Sequence, residues 1–295
     1  MPNLHLAPRF IAATLLAASC SDPDTIQCSE CGSPASQGAL VQTKLVETSG
    51  LAASSTLPDV LYAHNDSGNA PRFYAVSRTG ADLGVFKVED AENEDWEDMD
   101  RGPCPAGNCL YIGDIGDNEL ERLAYTLYRM VEPTEILPGE QTISAERIVF
   151  TYPDGAHNAE VLLVHPITGE VTIVTKVKMA PAQVFALPLP LTTGKTFMAR
   201  KVGEALPPKG ANEFTGGSIH PKGTALLMRT NSSLFYYPMQ PEQTAAEALA
   251  GEPCALPVAD EDNGEAVTWL AGGAEIVTLG EGEGAEIHVS SCTHD

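Results

Sequence analysis

The feature of this 295-residue sequence that most limits its fold is the fivefold recurrence of a short strand-forming unit. Each unit begins with an oxygen-bearing residue at the start of a strand-like run, passes through a turn sequence and enters a second strand. The units start 48, 63, 55 and 50 residues apart, which leaves room for about four strands in each. The five opening residues are Ser49, Glu97, Glu160, Thr215 and Glu265.

Tandem units of this size predict an all-β fold, a β-propeller with five blades. The last unit ends after its third strand, whereas residues 39–46 precede the first unit as a strand without a partner. We expect that N-terminal strand to complete the last blade, so that residues 39–295 form one closed ring. A six-bladed alternative requires an extra blade between Glu160 and Thr215 or after Tyr237. The only helix-like stretch covers residues 241–250.

Residues 1–20 have the pattern of an export signal, since Arg9 precedes an apolar run over residues 10–19 and small residues lead to Cys20. The apolar run is too short to span a bilayer. Residues 16–20 resemble a lipobox, the site at which bacterial lipoproteins are cleaved and lipidated, although Ala17 stands where that motif prefers Leu. The sequence predicts an outer-membrane or cell-surface lipoprotein, attached to the membrane only by lipid on Cys20 and a tether over residues 21–38. The alternative is a periplasmic or secreted protein.

Six cysteines remain after Cys20, an even number that favours disulfides in an exported chain. Cys104 and Cys109 flank a turn sequence and are expected to pair with each other. For the other four cysteines the preferred pairing joins neighbours in the sequence. These predicted pairs are Cys28–Cys31 and Cys254–Cys292.

The chain carries 40 acidic and 17 basic residues, a formal net charge of −23. This excess opposes binding to nucleic acid or to an anionic membrane surface, and it is compatible with binding of hard cations. Most of these carboxylates are expected to form a solvated surface. We expect a monomer that binds a small-molecule or protein ligand on its polar face.

In a propeller blade the innermost strand starts on one face, and the second strand returns to that face near the axis. The five opening residues, Ser49, Glu97, Glu160, Thr215 and Glu265, are therefore expected to converge. Three carboxylates cannot stay ionised close together without a counter-charge, and a divalent cation supplies one. Because all five side chains offer hard oxygen donors, calcium suits them better than zinc or magnesium. The alternative is that the glutamates cap strand ends.

Five further residues on the same face are candidates for catalysis. Lys176 and Arg229 carry positive charges suited to a phosphate or carboxylate group. His64, Asp66 and Asp114 carry groups that orient a water for attack. The structural alternative is ordinary surface charge for the two basic residues and a hydrogen-bonded histidine.

The sequence resembles two families. The opening residues, together with residues 110–113, 214–221 and 264–267, resemble the five-bladed calcium-activated nucleotidases (apyrases), which implies a central calcium and hydrolysis of phosphate anhydrides. Residues 63–68, 95–98, 111–118, 152–155 and 159–166 resemble an uncharacterised family of exported bacterial propellers (WD40-like), and this resemblance implies no particular activity. Two hypotheses follow, a calcium-containing binding module and a metal-dependent hydrolase of phosphoric esters or anhydrides.

The lipobox resemblance predicts that the mature chain begins at Cys20 with acyl groups attached. Mass spectrometry of the protein purified from its native membrane should show a diacyl or triacyl mass on that cysteine. A mature chain that starts at any other residue would contradict lipidation.

Overall fold

A computed structural model describes residues 28–293 and contains five sheets arranged in a ring. The all-β class and the five-bladed propeller predicted from the repeats are confirmed. In chain order the elements are β1 (Glu30–Cys31), β2 (Ala35–Ala39), β3 (Thr48–Ala53), β4 (Val60–Asn65), β5 (Arg72–Ser77), β6 (Asp82–Val88), β7 (Trp96–Cys104), β8 (Gly107–Asp114), β9 (Tyr125–Val131), β10 (Glu140–Ile143), β11 (Glu146–Thr151), β12 (Ala159–Val164), β13 (Val171–Thr175), β14 (Ala182–Ala186), β15 (Thr196–Met198), β16 (Arg200–Ala205), β17 (Phe214–Ile219), β18 (Ala225–Thr230), β19 (Ser233–Pro238), α1 (Ala245–Leu249), β20 (Cys254–Leu256), β21 (Ala266–Trp269), β22 (Glu275–Leu279) and β23 (Glu286–Thr293).

The innermost strands of the five blades are β3, β7, β12, β17 and β21. Each contacts the next one around the ring, and β21 contacts β3. Every residue of β3, β12, β17 and β21 is buried, because each blade packs on a neighbour on both sides. Apolar clusters fill the spaces between blades, so the blades are held face to face by burial of apolar surface.

The ring is closed by an N-terminal strand, as predicted, but the strand lies earlier in the chain than expected. One edge of β23 pairs with β22, and the other edge pairs with β2 and β1. Residues 40–47 form no strand; Leu40 and Leu45 are instead buried in the apolar cluster between the first and last blades. The predicted boundary between tether and propeller at residue 39 is wrong because residues 30–31 and 35–39 already belong to the last blade.

Connecting segments cover the outer edges of three blades. The strand β10 pairs in parallel with β6 of the preceding blade, and β15 pairs in the same way with β11. The helix α1 packs on the outer strand β16 and begins at a capping box formed by Thr244 and Glu247. This helix falls within the segment predicted to be helical. No helix among residues 28–293 is long and apolar enough to cross a membrane.

The cysteine pairs only partly follow the sequence prediction. Cys104–Cys109 is present, whereas the structure pairs Cys28 with Cys254 and Cys31 with Cys292. The predicted pairs Cys28–Cys31 and Cys254–Cys292 are therefore wrong. The physical reason is the closure of the ring, because β1 lies antiparallel to β23 with Cys31 directly opposite Cys292.

Removal of the closure disulfide should destabilise the protein more than removal of the local one. The residues joined by Cys31–Cys292 are 261 apart in sequence, against 5 for Cys104–Cys109. With Cys28–Cys254 intact, Cys31–Cys292 still closes an effective loop of about 40 residues, so in the chain-entropy view it contributes about 4 kcal/mol against about 2 kcal/mol for Cys104–Cys109. Urea unfolding of the two double Cys→Ser variants should show this order, and equal losses would contradict it.

Candidate cation-binding site

The five opening residues occupy equivalent positions in the five blades. At four of them the ladder between first and second strand carries a bulge, so that the opening residue is skipped in the pairing; these residues are Ser49, Glu97, Glu160 and Thr215. Glu265 directly precedes β21. A bulge redirects the side chain of the extra residue, which is how these positions escape the regular alternation of a strand.

Three carboxylates form the tightest acidic group of the described residues. Oxygens of Asp66, Asp95 and Glu97 all lie within 4.8 Å of one another. Asp66 follows β4 of the first blade, whereas Asp95 and Glu97 lie at the entry to the second blade. Gly116 lies against this group, because a Cβ there would collide with oxygens of both Asp95 and Glu97. The group we call the acidic cluster consists of these three carboxylates with Glu160 and Glu265.

Glu160 and Glu265 extend the cluster toward the third and fifth blades. The Nζ atom of Lys176 lies 2.8 Å from Oε1 of Glu160, and this ammonium supplies one positive charge to the cluster. Lys176 is held at its backbone, where its N–H donates to the carbonyl of Asn158 at 2.9 Å. None of the salt bridges within residues 28–293 involves Asp66, Asp95 or Glu97.

The pKa values of the cluster are raised. Burial raises the pKa of Glu97 well above its usual range, and the charges of Glu160, Asp66, Asp95 and Glu265 add to the rise. Burial and the neighbouring Glu160 raise the pKa of Glu265 to about 8, and burial with Asp66 raises that of Asp95 to about 6. Without a cation, the cluster therefore keeps protons near neutral pH.

Ser49 and Thr215 use their hydroxyl groups to join blades. The Ser49 hydroxyl donates to the Glu97 carbonyl of the next blade. The Thr215 hydroxyl donates to the Gly264 carbonyl of the next blade at 3.0 Å. Each bond fixes the backbone at, or directly before, a glutamate of the cluster.

Two of the catalytic candidates, Asp66 and Lys176, lie in or beside the cluster, whereas the other three are buried. His64 is completely buried, and its Nδ1–H donates to the Asn65 carbonyl at 3.0 Å. Its ring packs edge-on against Trp96, and burial lowers its pKa to about 4. Asp114 pairs with Arg122 at 2.8 Å and accepts the Asp95 N–H at 3.1 Å.

Arg229, the third of these residues, is fully buried. It pairs with Glu261 and donates to the Ala266 carbonyl at 2.9 Å. The structure thus brings together Glu97, Glu160, Glu265, Asp66 and Lys176. Asp114 holds the backbone at Asp95, and Arg229 holds the backbone directly after Glu265.

Asp95 was missed as a ligand candidate from the sequence. Its position could have indicated such a role, because Asp95 lies in an acidic segment two residues before the opening residue Glu97. No protein-family profile matches this sequence, and comparison with curated proteins gives no match. The resemblance to calcium-activated nucleotidases and to exported bacterial propellers therefore rests on the short sequence motifs alone.

The raised pKa values predict that the cation-free protein loses stability as the pH rises. Folding favours the protonated forms, so this contribution is complete below about pH 4 and is lost as the pH passes about 6 for Asp95 and about 8 for Glu265. Thermal melts in chelator between about pH 4 and 8 should show the fall.

The variant Glu265→Gln cannot ionise at that position, and its melting temperature should fall less over the same range. Glu204→Gln, at an exposed residue of β16, serves as the control and should follow the wild type. A wild-type melting temperature that is constant over this range would contradict the argument.

Proposed function

We propose that the acidic cluster binds calcium and that this face of the propeller serves as a binding module for a ligand or partner. One observation carries the proposal. Glu97 is only 3% exposed and lies within 4.8 Å of Asp66 and Asp95, and the basic side chains among residues 28–293 form no salt bridge with these three carboxylates. Burying like charges in this way is costly unless they are protonated or paired with a cation.

The donor set favours calcium among the common cations. All the cluster's side chains offer oxygen, the ligand type that calcium and magnesium prefer, and no cysteine or histidine is among them. Calcium accepts six to eight oxygen ligands in flexible geometry, whereas magnesium keeps several waters and holds fewer protein groups. Five carboxylates from four blades therefore suit calcium, and Lys176 offsets part of their charge.

The proposed setting is outside the cytoplasm. The three disulfides fit a protein that folds in an oxidising compartment. Export and a lipid anchor at Cys20 remain part of the proposal, because residues 1–27 lie outside the described part of the chain.

Calcium should stabilise the protein because it binds only the folded arrangement of the cluster. A 100-fold excess over the dissociation constant adds about 2.7 kcal/mol to the free energy of unfolding. Titration calorimetry and thermal melts with calcium, magnesium and chelator measure both effects. A wild-type melting temperature that does not respond to calcium, with no heat of binding, would refute the calcium site.

The variant Glu97→Gln separates the cluster's charge from its packing. The substitution keeps the side-chain volume, and the carboxylate that it removes has no cationic partner in the protein. Calcium affinity should therefore fall by at least about tenfold, or 1.4 kcal/mol. The same variant should melt higher than the wild type in chelator at about pH 8, because Gln needs neither the uptake of a proton nor the burial of a charge when the protein folds. Glu160→Gln should not raise the melting temperature in chelator as Glu97→Gln does, since it leaves the Lys176 ammonium without its partner. Glu204→Gln again provides the exposed control.

A second candidate function is a calcium-dependent phosphohydrolase, and Lys176 is the observation that favours it. Its side chain remains 28% exposed beside the cluster, where an ammonium and a cation would together hold an anionic group. Arg229 does not contribute, because it is buried and paired with Glu261. A screen of nucleotides and phosphate esters with calcium and with chelator tests this function. Calcium-dependent turnover that Lys176→Met abolishes would support hydrolysis, and absence of turnover would leave the binding module.

A further inference from the structure

The loop over residues 115–124, which connects β8 to β9, displays two leucines to solvent next to the acidic cluster. Leu120 is 56% exposed and Leu123 is 92% exposed. The loop begins on the cluster itself, because Gly116 lies against Asp95 and Glu97. Because both side chains are exposed, neither contributes to the core and both are available for contact with a partner at this site.

The backbone of this loop is fixed by many polar contacts. The carboxylate of Asp117 accepts the N–H groups of Glu121 and Arg122 at 2.9 and 3.0 Å, and the Tyr125 hydroxyl at 2.8 Å. Arg122 also bonds the Gly116 carbonyl at 2.8 Å and lies over the Tyr125 ring. The leucines are therefore presented on an ordered loop, which lowers the entropy lost when a partner binds.

The backbone at Leu120 adopts a conformation that is unusual for leucine. Its φ angle is 55°, in the left-handed region that glycine and asparagine adopt more easily than a branched apolar residue. Neither burial nor local conformation favours leucine here. Such backbone geometry at an exposed apolar residue is compatible with a binding role.

The charges around the two leucines are negative. Glu92, Glu94, Glu119 and Glu121 are all exposed on this loop or the adjacent one. The cation of the loop, Arg122, is already paired with Asp114 at 2.8 Å and with Glu94 at 3.2 Å. An apolar pair surrounded by carboxylates is complementary to an apolar side chain flanked by basic residues.

We propose that this loop is a docking site for a protein partner that presents an apolar residue flanked by lysine or arginine. The proposal rests on the proposed function, since it names the class of partner that the binding face takes. A second copy of the chain is a poor occupant, because two molecules of formal net charge −23 repel each other. The same charge opposes an anionic lipid surface.

The test uses a synthetic peptide of alternating leucine and lysine, with a serine–lysine peptide and a leucine–glutamate peptide as matched probes. Binding to the full folded protein is measured by fluorescence anisotropy at about 0.15 M salt with calcium present. The leucine–lysine peptide should bind at least about tenfold more tightly than either matched probe. Leu120→Asn and Leu123→Ser should each weaken its binding by about tenfold.

Two controls separate docking from folding. Leu137→Ser changes a leucine that is 51% exposed in the segment between β9 and β10, which begins at the opposite face of the ring beside Ser55, and should bind the peptide like the wild type. Leu120→Asn should melt at or above the wild-type temperature, because asparagine accepts the left-handed backbone. All three variants should bind calcium unchanged, since none alters a carboxylate.

Several results would overturn the proposal. Equal affinity for the serine–lysine peptide, or binding that both loop variants leave intact, would reduce the interaction to nonspecific charge attraction. If the protein self-associates in sedimentation and Leu123→Ser abolishes this, the loop binds a second copy of the chain. If the protein binds lipid vesicles and Leu123→Ser abolishes this, the loop binds a membrane. If the wild type binds calcium but does not bind the leucine–lysine peptide, the docking proposal is wrong and the proposed function stands. If the wild type binds no calcium, the proposed function itself is wrong.

Discussion

The structure depends on the pairing of the last long strand, β23, with the N-terminal strands β1 and β2. Without this pairing the fifth blade would end in an open edge, and the inner strands would not be held at fixed positions around the axis. The disulfide Cys31–Cys292 lies within the closing ladder, and Cys28–Cys254 ties the same segment to the outer strand of the fourth blade. Closure therefore joins three separate parts of the chain, and the central site exists only in the closed ring.

The closed ring also creates the electrostatic conflict on which the proposed function is based. Bulges at Glu97 and Glu160 remove both residues from the strand ladder, and Glu265 enters the ring at the corresponding position. The blades then hold these carboxyls together with little solvent, which raises their pKa values. Lys176 relieves part of the repulsion at Glu160. A bound cation would relieve the rest, and the nearby loop with Leu120 and Leu123 would add apolar contacts for a partner.

Much of the site could be predicted because the repeat places equivalent residues at equivalent positions. Glu97, Glu160 and Glu265 were identified from their spacing, and symmetry alone brings such positions toward one axis. Asp95 lies outside the repeat pattern, and its approach to Asp66 depends on contacts between loops of two blades. Arg229 carries a charge that suggested a surface role, but the pairing with Glu261 is formed by chain segments about thirty residues apart, which no local pattern reveals.

Local composition and repetition were enough to predict five blades as the preferred count, the strand character of each unit and the oxygen-bearing residues that open the inner strands. The partners of the four distant cysteines required the folded chain, since Cys31 meets Cys292 through the register of β1 on β23. The tertiary structure also decided that residues 35–39 rather than 39–46 close the ring. The physical reason is that Leu40 and Leu45 are more favourably buried between the first and last blades than exposed on a strand edge.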